Sequence, residues 1–281
     1  MFGSEKSAEA LYGLLDPHPL GIAGSLRYLT HSYEDDYVKI RQRFWMQREI
    51  SLTFDPAENV SFVGSGGYYG PEPEKAEYRR YFGIVRLGGS SIRAGRFVPA
   101  FGLEIADHTK GIKELFGQGG ETLNLELGYT HKYFEMMATR ILGSQSRLTA
   151  DERPTIRQRD ERDGYSGRLS AFLFKGLQLG VSYASLADAE RVRSYTSTYF
   201  FAGVKKLYIF GEFQSYPEQD YRAYGALAYM PWKGVYLKAE LDKSRVEQEI
   251  FGTIQLFPLV HWELLFSASS RQYLSIIHYY L

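Results

Sequence analysis

Cysteine is absent from the 281 residues. Disulfides, thiolate metal sites, covalent haem and a cysteine nucleophile are thereby excluded. Net charge is absent too, because 33 Lys and Arg balance 33 Asp and Glu. A balanced chain has no electrostatic bias toward nucleic acid, and no nucleic-acid motif appears, so no nucleic-acid partner is expected. No run approaches the roughly 18 apolar residues of a membrane-crossing helix. The six histidines, His18, His31, His108, His131, His261 and His278, have no metal-ligand spacing. No nucleophile elbow or phosphate loop is present. No catalytic residue, metal or cofactor is expected. The opening MFGSEKSAEALYG lacks the apolar core of a secretory signal, so an exported chain with this start would be a processed or re-engineered one.

What is abundant points to strands. There are 23 Tyr, 18 Phe and 28 Gly, residues that favour extended chain and tight turns. From Leu20 onward the apolar period is two, the strand period. Leu123, Leu125, Leu127 and Tyr129 alternate with Thr122, Asn124, Glu126 and Thr130. Val235, Leu237, Ala239 and Leu241 alternate with Tyr236, Lys238, Glu240 and Asp242. Ile254 and Leu264 continue the apolar face further along, and Glu249 and Glu263 the polar one. Between Lys39 and Phe54 the same rule sets Ile40, Phe44, Met46, Ile50, Leu52 and Phe54 against Lys39, Arg41, Arg43, Gln47, Glu49, Ser51 and Thr53.

Sixteen strands are expected, at 20–31, 38–54, 60–69, 77–87, 91–98, 121–130, 133–142, 164–174, 177–186, 194–204, 207–215, 220–230, 234–243, 247–257, 260–269 and 272–281. Connections after even strands are short, and the two longest, Pro99–Gly120 and Gly143–Asp163, both follow odd strands. That asymmetry is the mark of an up-and-down membrane barrel with short periplasmic turns. A soluble two-sheet protein would also bury one face of each strand, but it would not place so many charges deep within strands. The expected fold class is therefore all-β, a transmembrane antiparallel barrel of about sixteen strands spanning 20–281. Residues 1–19 form a leader or a short periplasmic helix, with Ala8, Leu11, Leu14 and Leu15 at helical spacing. Arg48, Arg96 and Arg140 fall on the lipid-facing side and misfit there; each needs a bulge, an interface or snorkelling.

Two stretches resemble a known family. RAGRFVPAFGLEIADHT (Arg93–Thr109) resembles porins, above all the phosphate-selective porins, through Gly95, Arg96, Phe97, Pro99, Phe101, Gly102 and Leu103. The last strand, with Tyr273, Ile277, Tyr279 and Leu281 on one face, resembles the terminal recognition strand of outer-membrane barrels, although Leu281 stands where Phe is usual. The wider resemblance is to sixteen-strand porins. It implies that Pro99–Gly120, which follows strand five, is the loop that folds into the lumen.

The implied function is passive diffusion of small hydrophilic solutes or ions, since 16–18 strands leave a water channel. Lys39, Arg41, Arg43, Arg80, Arg86 and Arg93 would form a basic wall, faced by Glu104, Asp107 and Glu114 on the loop. Such opposed charges create a transverse field; the alternative is that they only pair and hold the loop. Expected partners are outer-membrane lipid and lipopolysaccharide, the solutes, and further copies of the chain in a homotrimer. The competing function is a scaffold barrel around or beside a partner protein. An outer-membrane enzyme is the third class; it needs a Ser–His pair at a rim, with His131 or His278 as the nearest base.

Overall fold

The computed structural model describes residues 19–35, 38–69, 77–103, 120–143, 163–187, 192–217, 221–243, 247–257, 259–267 and 272–280. Residues 1–18, most of the expected leader, lie outside that set. The strands are β1 (Leu20–Asp35), β2 (Val38–Ala57), β3 (Val60–Tyr69), β4 (Glu77–Leu87), β5 (Ser90–Phe97), β6 (Thr122–His131), β7 (Phe134–Leu142) and β8 (Asp163–Phe174). They continue as β9 (Leu177–Ala187), β10 (Val192–Val204), β11 (Leu207–Ser215), β12 (Tyr221–Tyr229), β13 (Val235–Asp242), β14 (Glu247–Phe257), β15 (Val260–Ser267) and β16 (Gln272–Tyr280).

Every strand pairs antiparallel with its chain neighbour. β1 then pairs with β16, from Ser25↔Tyr280 to Ser32↔Tyr273, and closes the barrel. Closure leaves no sheet edge with unpaired N–H and C=O groups, which hydrocarbon requires of any spanning sheet. Connections after even strands are two residues long, except 230–234 between β12 and β13. The longest connections follow β5 and β7 at the other end. In outer-membrane barrels the short-turn end is the periplasmic one.

The faces are inverted relative to a water-soluble sheet. On β6, Asn124 and Glu126 are 1% and 3% exposed, whereas Leu125 and Leu127 are 45% and 56% exposed. On β13, Lys238, Glu240 and Asp242 are buried while Leu237 and Leu241 are exposed. Polar residues thus line the inside and apolar ones cover the outside, so the medium outside is hydrocarbon.

Register shifts interrupt the ladder at β1–β2, β2–β3, β3–β4, β8–β9 and β14–β15, and the first of them decides which residues of β2 face inward. Between β1 and β2 the register shifts: Arg27 pairs with Gln47, but Tyr28 pairs with Trp45, leaving Met46 as an extra residue. Such a bulge reverses which parity faces in. Gln47 and Glu49 face the lumen as expected. Beyond the bulge Phe44 faces in and Trp45 faces out, where its ring meets Tyr28 edge-on at 5.3 Å. Phe44 and Met46 pack against an apolar group inside the barrel formed by Leu29, Leu265 and Ile276, joined by Tyr236 and Leu274. Period-two reading places Phe44 and Met46 on the lipid side; the bulge moves them in.

Candidate functional site

The inward segment begins at the end of β5. Phe97 is 2% exposed and meets Phe82 edge-on, with ring centroids 5.7 Å apart. Asn124 holds this exit, donating from Nδ2 to the Phe97 carbonyl at 2.6 Å. The chain then leaves the wall. Phe101 is buried against Ile141 of β7, Ala184 and Leu186 of β9 and Tyr195 of β10, with Tyr216 alongside. Ile141, Ala184, Leu186 and Tyr195 belong to the inward rows of those strands, and Tyr216 follows β11, so residues 98–103 cross the interior.

Two backbone hydrogen bonds fix the far end. Gly102 N–H donates to Ser182 Oγ at 2.9 Å, and Leu103 N–H donates to Glu212 Oε2 at 3.1 Å. Glu212, on β11, also accepts from Ser197 Oγ and Gln214 Nε2, both at 2.7 Å. Gly102 has φ +64°, a conformation natural to glycine, and an added Cβ would overlap the Glu212 carboxylate. The segment therefore rests on the wall through two backbone donors, one on the Ser182 hydroxyl and one on the Glu212 carboxylate. The expected loop acids Glu104, Asp107 and Glu114 lie outside the described residues.

Among the expected basic residues, Arg80, Arg86 and Arg93 share the inward face of β4 and β5. Arg93 Nη2 lies 2.6 Å from Glu126 Oε1 on β6, and its guanidinium sits 3.9 Å over the Phe97 ring. Thr139 donates to the other oxygen of Glu126 at 2.7 Å. Arg80 lies 3.8 Å from Glu121 Oε1. Arg86 donates to Ser61 Oγ at 2.9 Å. Cations here pair with the neighbouring wall. Arg80 nevertheless keeps 46% of its side chain exposed, against 4% exposure for Glu212 on the wall the segment covers.

Arg43 does not join them. The Met46 bulge turns it outward, at the register position of Thr30. Lys39 and Arg41 hold register positions of the same parity, opposite Glu34 and Ser32, and their side chains lie outside the described residues. The expectation of a lumenal Arg43 fails because alternation carries no mark of an inserted residue.

Sequence reading did not group several lumenal contacts. Glu49 accepts from Tyr69 Oη at 2.6 Å and from Gln47 Nε2 at 3.0 Å, and Arg79 stacks 3.5 Å over the Tyr69 ring. Arg168 meets Glu135 at 2.7 Å. Lys238 pairs with Glu240, which accepts from Tyr224 Oη at 2.6 Å. Period two already puts Gln47 beside Glu49 and Lys238 beside Glu240 on one face; the pairs between strands, Tyr69–Glu49, Arg168–Glu135 and Tyr224–Glu240, need the register.

A Ser–His pair does occur: Ser25 Oγ lies 2.7 Å from His278 Nε2. It faces inward across the β1–β16 seam, and His278 is 1% exposed. Arg27 Nε lies 3.2 Å from the same ring. A catalytic base is held by a carboxylate or its equivalent; a guanidinium lies against this ring, and the pair reads as a tie across the closing seam. His131, at the β6–β7 turn, meets Tyr133 and Phe134.

No family model and no curated protein matches the chain. Solved structures do. OprB of Pseudomonas putida aligns over 94% of this chain and 94% of its own, with TM-score 0.69 and 9% identity. The outer-membrane channel DcaP of Acinetobacter baumannii aligns over 93% and 97%, with TM-score 0.62 and 8% identity. An anion-selective porin from Comamonas acidovorans aligns over 93% and 99%, with TM-score 0.57 and 11% identity. The chain has the porin fold. With its apolar outer face, this porin-type barrel has the surface of a membrane-spanning protein.

Proposed function

We propose that this barrel is a passive channel for small hydrophilic solutes, with a charged constriction where the segment after β5 crosses the lumen. The observation that carries the reading is the crossing itself. Phe101, Gly102 and Leu103 lie against the β9–β11 wall, while the inward Arg80 of β4 keeps 46% of its side chain exposed. Arg80, Arg86 and Arg93 form the basic side of the proposed constriction, and Glu104, Asp107 and Glu114 the acidic side. Arg43 is not part of it. Assembly as a homotrimer is proposed on the same footing, by analogy of fold.

The second reading, a scaffold barrel around a partner, has one observation in its favour. The inward apolar group around Leu29, Leu265 and Ile276 removes polar lining from part of the interior. Planar-bilayer recording separates the two. Discrete ohmic steps from the refolded chain support the channel. A correctly folded barrel that never conducts, at any voltage or salt concentration, would leave the scaffold.

A further inference from the structure

The barrel interior carries two surfaces of opposite character. On one arc, Leu29, Leu265 and Ile276 form an inward apolar group, with Phe44, Tyr236 and Leu274 packed against it and only partly covered. The group centres on β16 and β1, the strand by which the chain enters the wall at Leu20. The lumen of a water-filled barrel is polar, so such a patch calls for an apolar cover. The second surface is basic. Arg80 and Arg86 face inward from β4, a quarter of the way round the sixteen-strand wall from β16. Arg80 keeps 46% of its side chain exposed, 3.8 Å from Glu121. Arg86 donates to Ser61 Oγ and is exposed. The crossing residues Phe101, Gly102 and Leu103 seat on β9–β11, the arc opposite β1–β3, and none of them belongs to the apolar group.

Residues 4–16 lie outside the described residues and join β1 through Pro17, His18 and Pro19. Three residues span roughly 10 Å, so the segment starts from the short-turn mouth. Its sequence has the same two characters as the lumen. At 3.6 residues per turn, Ala8, Leu11, Leu14 and Leu15 fall on one stripe, and Glu5, Glu9 and Asp16 on another roughly a third of a turn away. The lengths agree as well. Glu5 and Asp16 are about 16 Å apart along a helix axis. Arg80 and Arg86, both on β4, span about 15 Å of the barrel axis once the strand tilt is taken. A helix this short is marginal alone in water; packing on the wall supplies what it lacks.

We propose that residues 4–16 form a helix seated inside the barrel, with its leucine stripe on the apolar group around Ile276 and its carboxylate stripe toward Arg80 and Arg86. Asp16 then lies at the mouth beside Arg86, near the Gly88–Gly89 turn, and Glu5 and Glu9 reach up to Arg80. The chain covers its own apolar lining and narrows the lumen from the short-turn end. The proposal rests on the enclosed lumen and is independent of whether that lumen conducts.

The chain has no cysteine, so labels go only where they are placed. The test puts nitroxides on Ala10→Cys, which lies on neither stripe, and Ser51→Cys, on the inward row of β2 beside Glu49. Pulsed electron spin resonance reads their separation in the refolded full chain. The otherwise unchanged chain should give one short, narrow separation. Glu5→Lys with Glu9→Lys should reduce that population severalfold, and Leu11→Asp with Leu15→Asp should abolish it. Adding Arg80→Glu and Arg86→Glu to the first of these should restore it, which a mere loss of helix could not produce. Heat-dependent migration in gels establishes that each variant has folded. A broad distribution in the otherwise unchanged chain would overturn the proposal and place the segment outside the barrel. So would a narrow separation that survives Leu11→Asp with Leu15→Asp, or a charge exchange that restores nothing. So would loss of the short separation on dilution with unlabelled chain, which would make a second copy the source of the segment.

Discussion

Replacing Glu212 by Ala removes the acceptor from three donors at once: Leu103 N–H at 3.1 Å, Ser197 Oγ at 2.7 Å and Gln214 Nε2 at 2.7 Å. Hydrogen bonds to a charged group contribute roughly 1.5–3 kcal/mol each. Of the three, the Leu103 bond ties the inward segment to the wall. Its loss should raise the detached fraction of that segment by about one to two orders of magnitude, taking 1.4 kcal/mol per factor of ten. Detachment remains incomplete, because Gly102 keeps Ser182 and Phe101 stays 4% exposed; a buried Phe retains roughly 1.5–3 kcal/mol. Ser197 and Gln214 are 2% and 1% exposed, so the loss of their acceptor should also lower global stability, by about 1–3 kcal/mol for each buried donor left without a partner. Gly102→Ala attacks the same contact from the other side, through φ +64° and overlap with the carboxylate. Single-channel recording is the assay. Both variants should show a larger mean conductance and more open-state noise than the wild type. If both fold, as judged by heat-dependent gel migration, and both conduct like the wild type, the Glu212 latch does not control the lumen.

Arg80→Ala with Arg93→Ala should shift permeability toward cations severalfold, since each wet charge contributes on the order of 0.5 kcal/mol after screening and Glu126 is left unpaired. Reversal potentials under a salt gradient measure this, and an unchanged ratio would show that these arginines do not set the field. Spin labels at Leu125, Leu127 and Leu237 should be quenched by lipid-soluble reagents, and labels at Glu126 and Glu240 by water-soluble ones or by neither; the reverse pattern would refute the inside-out assignment. Deleting Met46 should still yield a heat-modifiable barrel at a cost of about 1–3 kcal/mol for lost packing, because the bulge residue is the one whose removal restores regular pairing without turning any face. Deleting Leu52, in regular ladder, reverses the faces beyond it and should block assembly; equal tolerance of the two deletions would contradict the register.

The sequence carried most of the wall. On β6 and β13 the alternation of Leu with Asn, Glu, Lys and Asp determines both the strand and its orientation, because side-chain direction in a strand depends only on parity. Short turns such as Lys175–Gly176 and Gly88–Gly89 mark strand ends through local turn chemistry, and the resemblance of the stretch after β5 to porins pointed to the segment that enters the lumen. Three features needed the tertiary structure. The Met46 bulge exists because Trp45 meets Tyr28 outside while Phe44 packs on Leu29 and Ile276 inside, so contacts with other strands override local period. Phe101 and Leu103 find Tyr195 and Glu212 on strands β10 and β11, far from β5 in the chain; no periodicity specifies which wall a crossing segment meets. Arg93 faces inward by parity alone, but its partner Glu126 follows from the β5–β6 register. Parity is a property of the chain itself, while register, insertion and contact across the lumen are decided only when the barrel closes.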